Sequence, residues 1–223
     1  MTVSVRKSQN RPQDISHQHR NSDFSNVIPA LELCYKKLNG KVFVVLTGDD
    51  IYPKDLPQWI WNYPASKIRS DRADISLLGS TALHFGTNSG INFLASVFGR
   101  PCALHNIFPY GIGALGKNDL IIYKTVYDRV KRRRLSVAEA VEKGFLQGRD
   151  VLNFRSERYI IIDNSPREIS ELIDVAIDLM VQQIDPTFFS VHDQQFREAL
   201  PEFRNCWGMA CHVLPSWLDQ NLN

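Results

Sequence analysis

Residues 84–106 read HFGTNSGINFLASVFGRPCALHN, and the folding of this stretch decides the class of the chain around it. A short apolar run at 82–85 meets Gly86-Thr87-Asn88-Ser89-Gly90. Residues 91–98 then have helical spacing, Gly99-Arg100-Pro101 stops them, and a second apolar run follows at 102–104. The order is strand, small-residue loop, helix, strand, a β-α-β unit. Gly86 and Gly90 permit close backbone approaches that a side chain would block. Thr87, Asn88 and Ser89 bring hydroxyl and amide groups, and a helix start brings unpaired N–H groups with partial positive charge. Two readings stay open. The loop cradles an anion, above all a phosphate, or it is a plain turn whose Asn or Ser caps the helix. It matches neither GxGxxG nor a Walker loop, so neither of those mechanisms is carried over.

Working outward, the same alternation recurs. Thr2-Val3-Ser4-Val5 is a β-branched strand ending in Arg6 and Lys7. Residues 8–22 form a polar loop containing Arg20 and Asn21, and Asn21-Ser22-Asp23 offers helix caps. Phe24, Val27, Ile28, Leu31, Cys34 and Leu38 then make a helical apolar face that ends at Asn39-Gly40, with Pro29 setting the start near Ile28. Residues 42–46 (VFVVL) are a continuous apolar run, as for a strand covered on both faces. Thr47-Gly48-Asp49-Asp50 follows it, and the two carboxylates read either as catalytic groups or as a solvated turn. A short strand is expected at 59–62 and a short helix from Asp71. After Asn106, the Gly- and aromatic-rich stretch IFPYGIGALGKND suits a lid or a base-stacking surface.

Residues 119–123 are strand-like and end in Lys124. Lys131-Arg132-Arg133-Arg134 reads as a solvated face or as a contact for anionic lipid or an acidic substrate. Ser136 and Glu139 make a capping box. A strand at 159–162 precedes a helix opening at Asn164-Ser165-Pro166, and a further helix covers 188–200. The apolar tail, with Trp207, Met209, Leu214, Trp217 and Leu218, is expected to pack back on the domain. Alternating strands and helices imply an α/β fold with a mostly parallel sheet and helices on both faces. The residues after strand ends then share one edge of the sheet, where ligands of open α/β folds bind.

The bulk numbers exclude some functions. With 223 residues, 43% hydrophobic and 22% charged, the chain is ordinary for a globular protein, and a net charge of +2 gives no reason to expect nucleic acid. No apolar run approaches the roughly 18–20 residues of a membrane span, and the opening MTVSVRKSQNRPQD has no signal-peptide core. Cys34, Cys102, Cys206 and Cys211 lack CxxC spacing. Cys34 and Cys102 read as core residues, and Cys206 and Cys211 with His212 lack a fourth metal ligand. No metal is expected, and a reducing, cytoplasmic setting is the default.

An ordered set of these residues resembles a family of bacterial proteins classed as glycosyltransferases of the two-Rossmann-domain (GT-B) type. The set is Val5-Arg6, His19 to Asp23 before Ile28-Pro29-Ala30, Gly48-Asp49, Ser66-Lys67 with Ser70-Asp71 and Asp74, Phe85 to Gly90, Phe98 to Pro101, Asn106, and Asn118-Asp119-Leu120 with Lys124. The likeness spans roughly residues 3–145, with Gly-Thr-Asn-Ser-Gly as its best marker, and residues 146–223 match weakly. It implies a Rossmann-like nucleotide-sugar-binding domain at 1–145, the C-terminal half of such an enzyme, followed at 146–223 by a strand and helices packed on it. It further implies that residues 86–90 hold the donor diphosphate and that Arg6 and Lys124 neutralise it. Asp23 joins them as a catalytic candidate, with Arg20, Asn21, Gly48, Asp49, Gly86, Thr87, Asn88, Ser89, Gly90 and Asn106 binding substrate. Cofactors and metal are not called for. The partners are a nucleotide-sugar donor, a glycan acceptor and a chain supplying an N-terminal domain. The expected setting is cytoplasmic, and the basic run at residues 131–134, read from its charge alone, adds an expected peripheral contact with the inner membrane surface. A binding module without chemistry is the alternative.

Overall fold

The structure, a computed structural model, describes residues 1–7, 15–49, 51–147, 157–182, 189–200 and 211–222. The expectations placed on Asp50, Cys206, Trp207 and Met209 lie outside these residues. Seven strands form one parallel sheet: β1 (Thr2–Ser4), β2 (Val44–Leu46), β3 (Ile60–Asn62), β4 (His84–Gly86), β5 (Cys102–Ile107), β6 (Leu120–Tyr123) and, from the C-terminal part, β10 (His212–Val213). Their spatial order is β3-β2-β1-β4-β5-β6-β10. The first six follow the doubly wound order 3-2-1-4-5-6, so the fold is α/β and Rossmann-like, with its topological switch between β1 and β4.

Each face of the sheet has its own chemistry. Thr2 and Ser4 of β1 pair with His84 and Gly86 of β4, so these four share one face. Val3 and Phe85 lie on the other and are fully buried. Helix α3 (Ile91–Val97), joined by α2 (Asp71–Ser80), covers the polar face through Asn92. On the other side α1 (Ile28–Lys37) packs along α5 (Pro166–Gln182), and α5 rests on β5 and β6. Lys37 Nζ ties the two helices by donating to Asp174 at 2.6 Å and Asp178 at 2.8 Å. Helix α1 ends where Asn39 and Gly40 turn left-handed, at φ 51° and 74°.

Boundaries moved where burial overrode local pattern. Strand β2 begins at Val44 rather than residue 42 because Phe43 is turned outward, 54% exposed. Strand β5 runs on to Ile107 through the buried His105 and Asn106, polar residues that hide its length in the sequence. A three-stranded antiparallel sheet was not anticipated: β7 (Thr125–Asp128) pairs with β8 (Arg133–Arg134) on one side and β9 (Tyr159–Ile162) on the other. Between them α4 (Val137–Glu142) opens on the expected capping box, with Glu139 N–H donating to Ser136 Oγ and Ser136 N–H to Glu139 Oε2. Helix α6 (Ser190–Glu198) leads to β10, the missed seventh strand, and α7 (Pro215–Asn221) buries Trp217 and Leu218, so this part of the tail does pack back on the core. Among the described residues no helix is long and apolar enough to cross a membrane.

Candidate functional site at the carboxyl rim

At the switch point β1 and β4 stay joined beyond their last strand residues. Thr87 N–H donates to Ser4 O at 3.0 Å, and Arg6 N–H donates to Thr87 Oγ1 at 2.8 Å. The segment around residues 18–23 is laid across this junction. Ser22 N–H donates to Arg6 O at 2.8 Å, while Arg20 reaches the loop with Nε and Nη2 on Asn88 O at 3.1 and 3.0 Å. Lys124, at the end of β6, donates from Nζ to Asn21 O at 2.6 Å. Asn88 Nδ2 donates to Phe108 O in the loop after β5. Arg6, Arg20, Asn21, Thr87, Asn88 and Lys124 therefore belong to one bonded cluster spanning the ends of four strands. Its charged side chains are Arg6, Arg20 and Lys124, opposed by Asp163.

Beneath the loop lies a buried polar network. Asn92 Nδ2 donates to Thr87 O, which fixes its Oδ1 as the acceptor facing His84 Nε2 at 2.8 Å. His84 Nε2 thus carries the hydrogen, and Nδ1 accepts from Thr2 Oγ1 at 3.0 Å. Burial pushes the His84 pKa down to about 4, only partly offset by the Asn92 bond, so the ring is neutral. Gly86 sits against this network. A Cβ there would lie 2.6 Å from Asn92 Oδ1, 2.8 Å from Ser4 Oγ and 2.9 Å from His84 Nε2. Gly86 is thus needed for close approach, as anticipated. Gly90 is not: its φ is −61°, and nothing lies within 4 Å of a Cβ built on it.

The helix start is a weaker anion holder than the sequence implied. Helix α3 is 7 residues long, and its first turn closes on itself through Asn92 N–H to Ser89 O and Phe93 N–H to Gly90 O. Side chains offer the better donors. Three buried polar atoms of this region have no hydrogen-bond partner among the described residues: Arg6 Nε, Ser22 Oγ and His105 Nε2. Asn106 Nδ2 lies 3.3 Å from His105 Nδ1, and an amide nitrogen only donates, so His105 Nε2 bears the hydrogen. Burial, helped by the Lys124 charge, lowers the His105 pKa to about 3 and keeps the ring neutral. All three atoms can donate. In the sequence Ser22 reads only as a helix cap, and the apolar run stops at residue 104, short of His105.

Other candidates have structural employment. Lys124 is 2% exposed, and its Nζ also donates to Asp163 Oδ1 at 2.6 Å. Burial lowers its pKa despite that carboxylate, so its charge is met internally rather than held out to a ligand. Asp23 caps a short 3-10 helix by accepting from Ser25 N–H at 3.0 Å, a bond that lowers its pKa. Asn106, left-handed at φ 54°, exchanges two 2.6 Å bonds with Asn164 and locks β5 to the entry of α5. Asp49 is exposed and paired with Arg69, and Gly48 takes φ 94° in the turn after β2. Ser89 is half-buried beside Asn88. Among the described residues no group of three or more His, Cys, Asp or Glu is placed to hold a metal. Burial pushes the Cys211 thiol up to about 12, and His212 is taken by Asp193 and Lys117 O.

Replacing Lys124 by Met is expected to cost about 2–3 kcal/mol, less than a fully buried pair because Asp163 is one-third exposed. Denaturant unfolding measures it, and a cost below about 0.5 kcal/mol would remove Lys124 as the pin of the 18–23 segment.

No family model, curated protein or solved structure matches this chain.

Proposed function

We propose that the carboxyl rim binds the diphosphate of a nucleotide-activated sugar and that the chain is the donor-binding half of a glycosyltransferase acting on a surface glycan. The observation that carries this reading is a set of buried donors without a partner among the described residues: Arg6 Nε and Ser22 Oγ beside the end of β1, and His105 Nε2 on β5, the strand next to β4. Sugar transfer breaks the bond between the anomeric carbon and a diphosphate oxygen and forms one to an acceptor oxygen. Negative charge grows on the leaving diphosphate, where a cation and fixed donors stabilise it. Arg6 suits this part, because its backbone alone makes the contacts to Thr87 and Ser22 that hold the rim.

The acceptor hydroxyl must also lose a proton to a base. Asp23 is occupied as a cap and Lys124 is neutralised by Asp163, which favours a second reading, a nucleotide-sugar-binding subunit whose chemistry needs a partner chain. The buried free thiols of Cys34, Cys102 and Cys211 fit a reducing, cytoplasmic setting.

A thermal-shift panel of UDP-, GDP-, CMP- and ADP-sugars tests the proposal. A ligand at about 100 times its Kd adds about 2.7 kcal/mol, or a rise in Tm of roughly 5–11 °C. The Arg6→Met variant is expected to keep its unliganded Tm and bind at least about tenfold more weakly, the loss of one charge-assisted contact. If no nucleotide sugar shifts the transition at millimolar concentration, the donor site is refuted. Hydrolysis of bound donor separates enzyme from binding subunit.

A further inference from the structure

The antiparallel sheet stands on the carboxyl rim. Strand β7 begins one residue after Lys124, and β9 returns to Asp163, the Lys124 partner. Thr125 pairs with Ile162 next to the rim and Asp128 with Tyr159 at the far end, so the turn after Asp128 projects outward from the edge that carries the candidate site. Residues 128–134 hold five bases, Arg129, Lys131, Arg132, Arg133 and Arg134, against the single acid Asp128. That is a local charge of +4 in a chain whose total is +2.

The turn is rigid. The Asp128 carboxylate accepts from the N–H groups of Val130 and Lys131 at 2.8 and 3.0 Å and from Arg158 Nη2 at 2.8 Å. Glu139 takes Arg133 and Lys131. Arg129, Arg132 and Arg134 are exposed and make no side-chain ion pair among the described residues. At the tip, between Arg129 and Lys131, Val130 is 71% exposed.

We propose that this hairpin docks the protein on an anionic lipid bilayer, the unpaired guanidinium groups meeting lipid phosphates and Val130 entering the boundary between headgroups and acyl chains. The charges alone would serve any polyanion. The apolar tip favours lipid, because Val130 gains nothing from a nucleic-acid phosphate and gains burial in a bilayer. This inference stands apart from the diphosphate proposal, since none of the hairpin residues belongs to the bonded cluster at the rim.

Co-sedimentation with mixed phosphatidylglycerol–phosphatidylcholine vesicles tests it, with pure phosphatidylcholine vesicles as the control. Binding is expected only to the anionic vesicles, weakening as salt is raised. Arg132→Asn with Arg134→Gln removes two unpaired charges while leaving Arg133 on Glu139, and Asn tolerates the left-handed backbone of residue 132, at φ 54°. The pair is expected to lose roughly fivefold per charge, about 25-fold together. Val130→Ser is expected to weaken binding further at a salt concentration where the charges are screened. Circular dichroism and the nucleotide thermal shift should be unchanged in all three substitutions, which separates failure here from failure of the diphosphate site. No sedimentation with anionic vesicles at low salt overturns the proposal. So does equal sedimentation of wild type and the double variant, or capture by polyuridylate with no preference for vesicles.

Discussion

Between pH 6.5 and pH 4 the protein is expected to lose about 3 kcal/mol of stability for each of two buried histidines, His84 and His105. Both rings are fully buried, and their pKa values fall from 6.5 to about 4 and about 3. In the unfolded chain they bind protons near pH 6.5. The unfolded state therefore binds more protons across this window, and stability must rise with pH through it. The contribution is complete above about pH 6.5 and drains at about 1.4 kcal/mol per pH unit per ring as the pH falls. It levels off below each folded-state value. Asp128 and Glu139, both held near 2 by hydrogen bonds from Arg158 and Arg133, add their losses from about pH 4.5 downward, as the unfolded chain's carboxylates take up protons first. Urea unfolding at half-unit pH steps reads the slope. His105→Gln should roughly halve it between pH 4 and 6. A flat profile from pH 7 to 5, or an unchanged slope in the His84→Gln/His105→Gln double variant, would refute the account.

Gly86→Ala is expected to cost about 3 kcal/mol, a fall in Tm of roughly 6–12 °C. The new methyl must enter space held by Asn92 Oδ1, Ser4 Oγ and His84 Nε2, all within 2.9 Å of it and all buried. None of these is the far end of a long, flexible chain. Moving Asn92 releases Thr87 O, and the rim loop loses its support from below. Gly90→Ala, four residues on, is the contrast. Its backbone is helical, its Cβ meets open space, and the substitution should be neutral or stabilising by about 0.4–1 kcal/mol. If the two variants have equal stability, the packing explanation of Gly86 is wrong.

The sheet was readable because its strands announce themselves. Val44–Leu46 and Leu120–Tyr123 are apolar runs between polar loops, and the small-residue loop at 86–90 marks a parallel crossover. The antiparallel sheet was hidden because β7 follows β6 after the single residue Lys124, and β8 is two exposed arginines with no apolar pattern. Strand β10 has only His212 and Val213, and its neighbour β6 is about 90 positions away in the chain, beyond the reach of any local pattern. At the rim the residue types were legible but their employment was not. Lys124 reads as a cation waiting for phosphate, and only the fold reveals Asp163 beside it. Asp23 reads as a carboxylate for chemistry or a cap, and its bond to Ser25 selects the cap. His105 went unnoticed because a histidine inside an apolar strand carries no mark of an unpartnered nitrogen.

The position of β10 beside β6 has a consequence for synthesis. The open edge of β6 leaves the ribosome long before the two residues that will cover it, and at about 5–20 residues per second the wait lasts roughly 5–20 s. Through that interval Leu120 and Ile121, which end fully buried, lie on an unpaired strand edge that invites other nascent chains. Slow translation of the C-terminal part should therefore make this protein a client of chaperones that shield growing chains, and release from them should coincide with the arrival of residues 212 and 213.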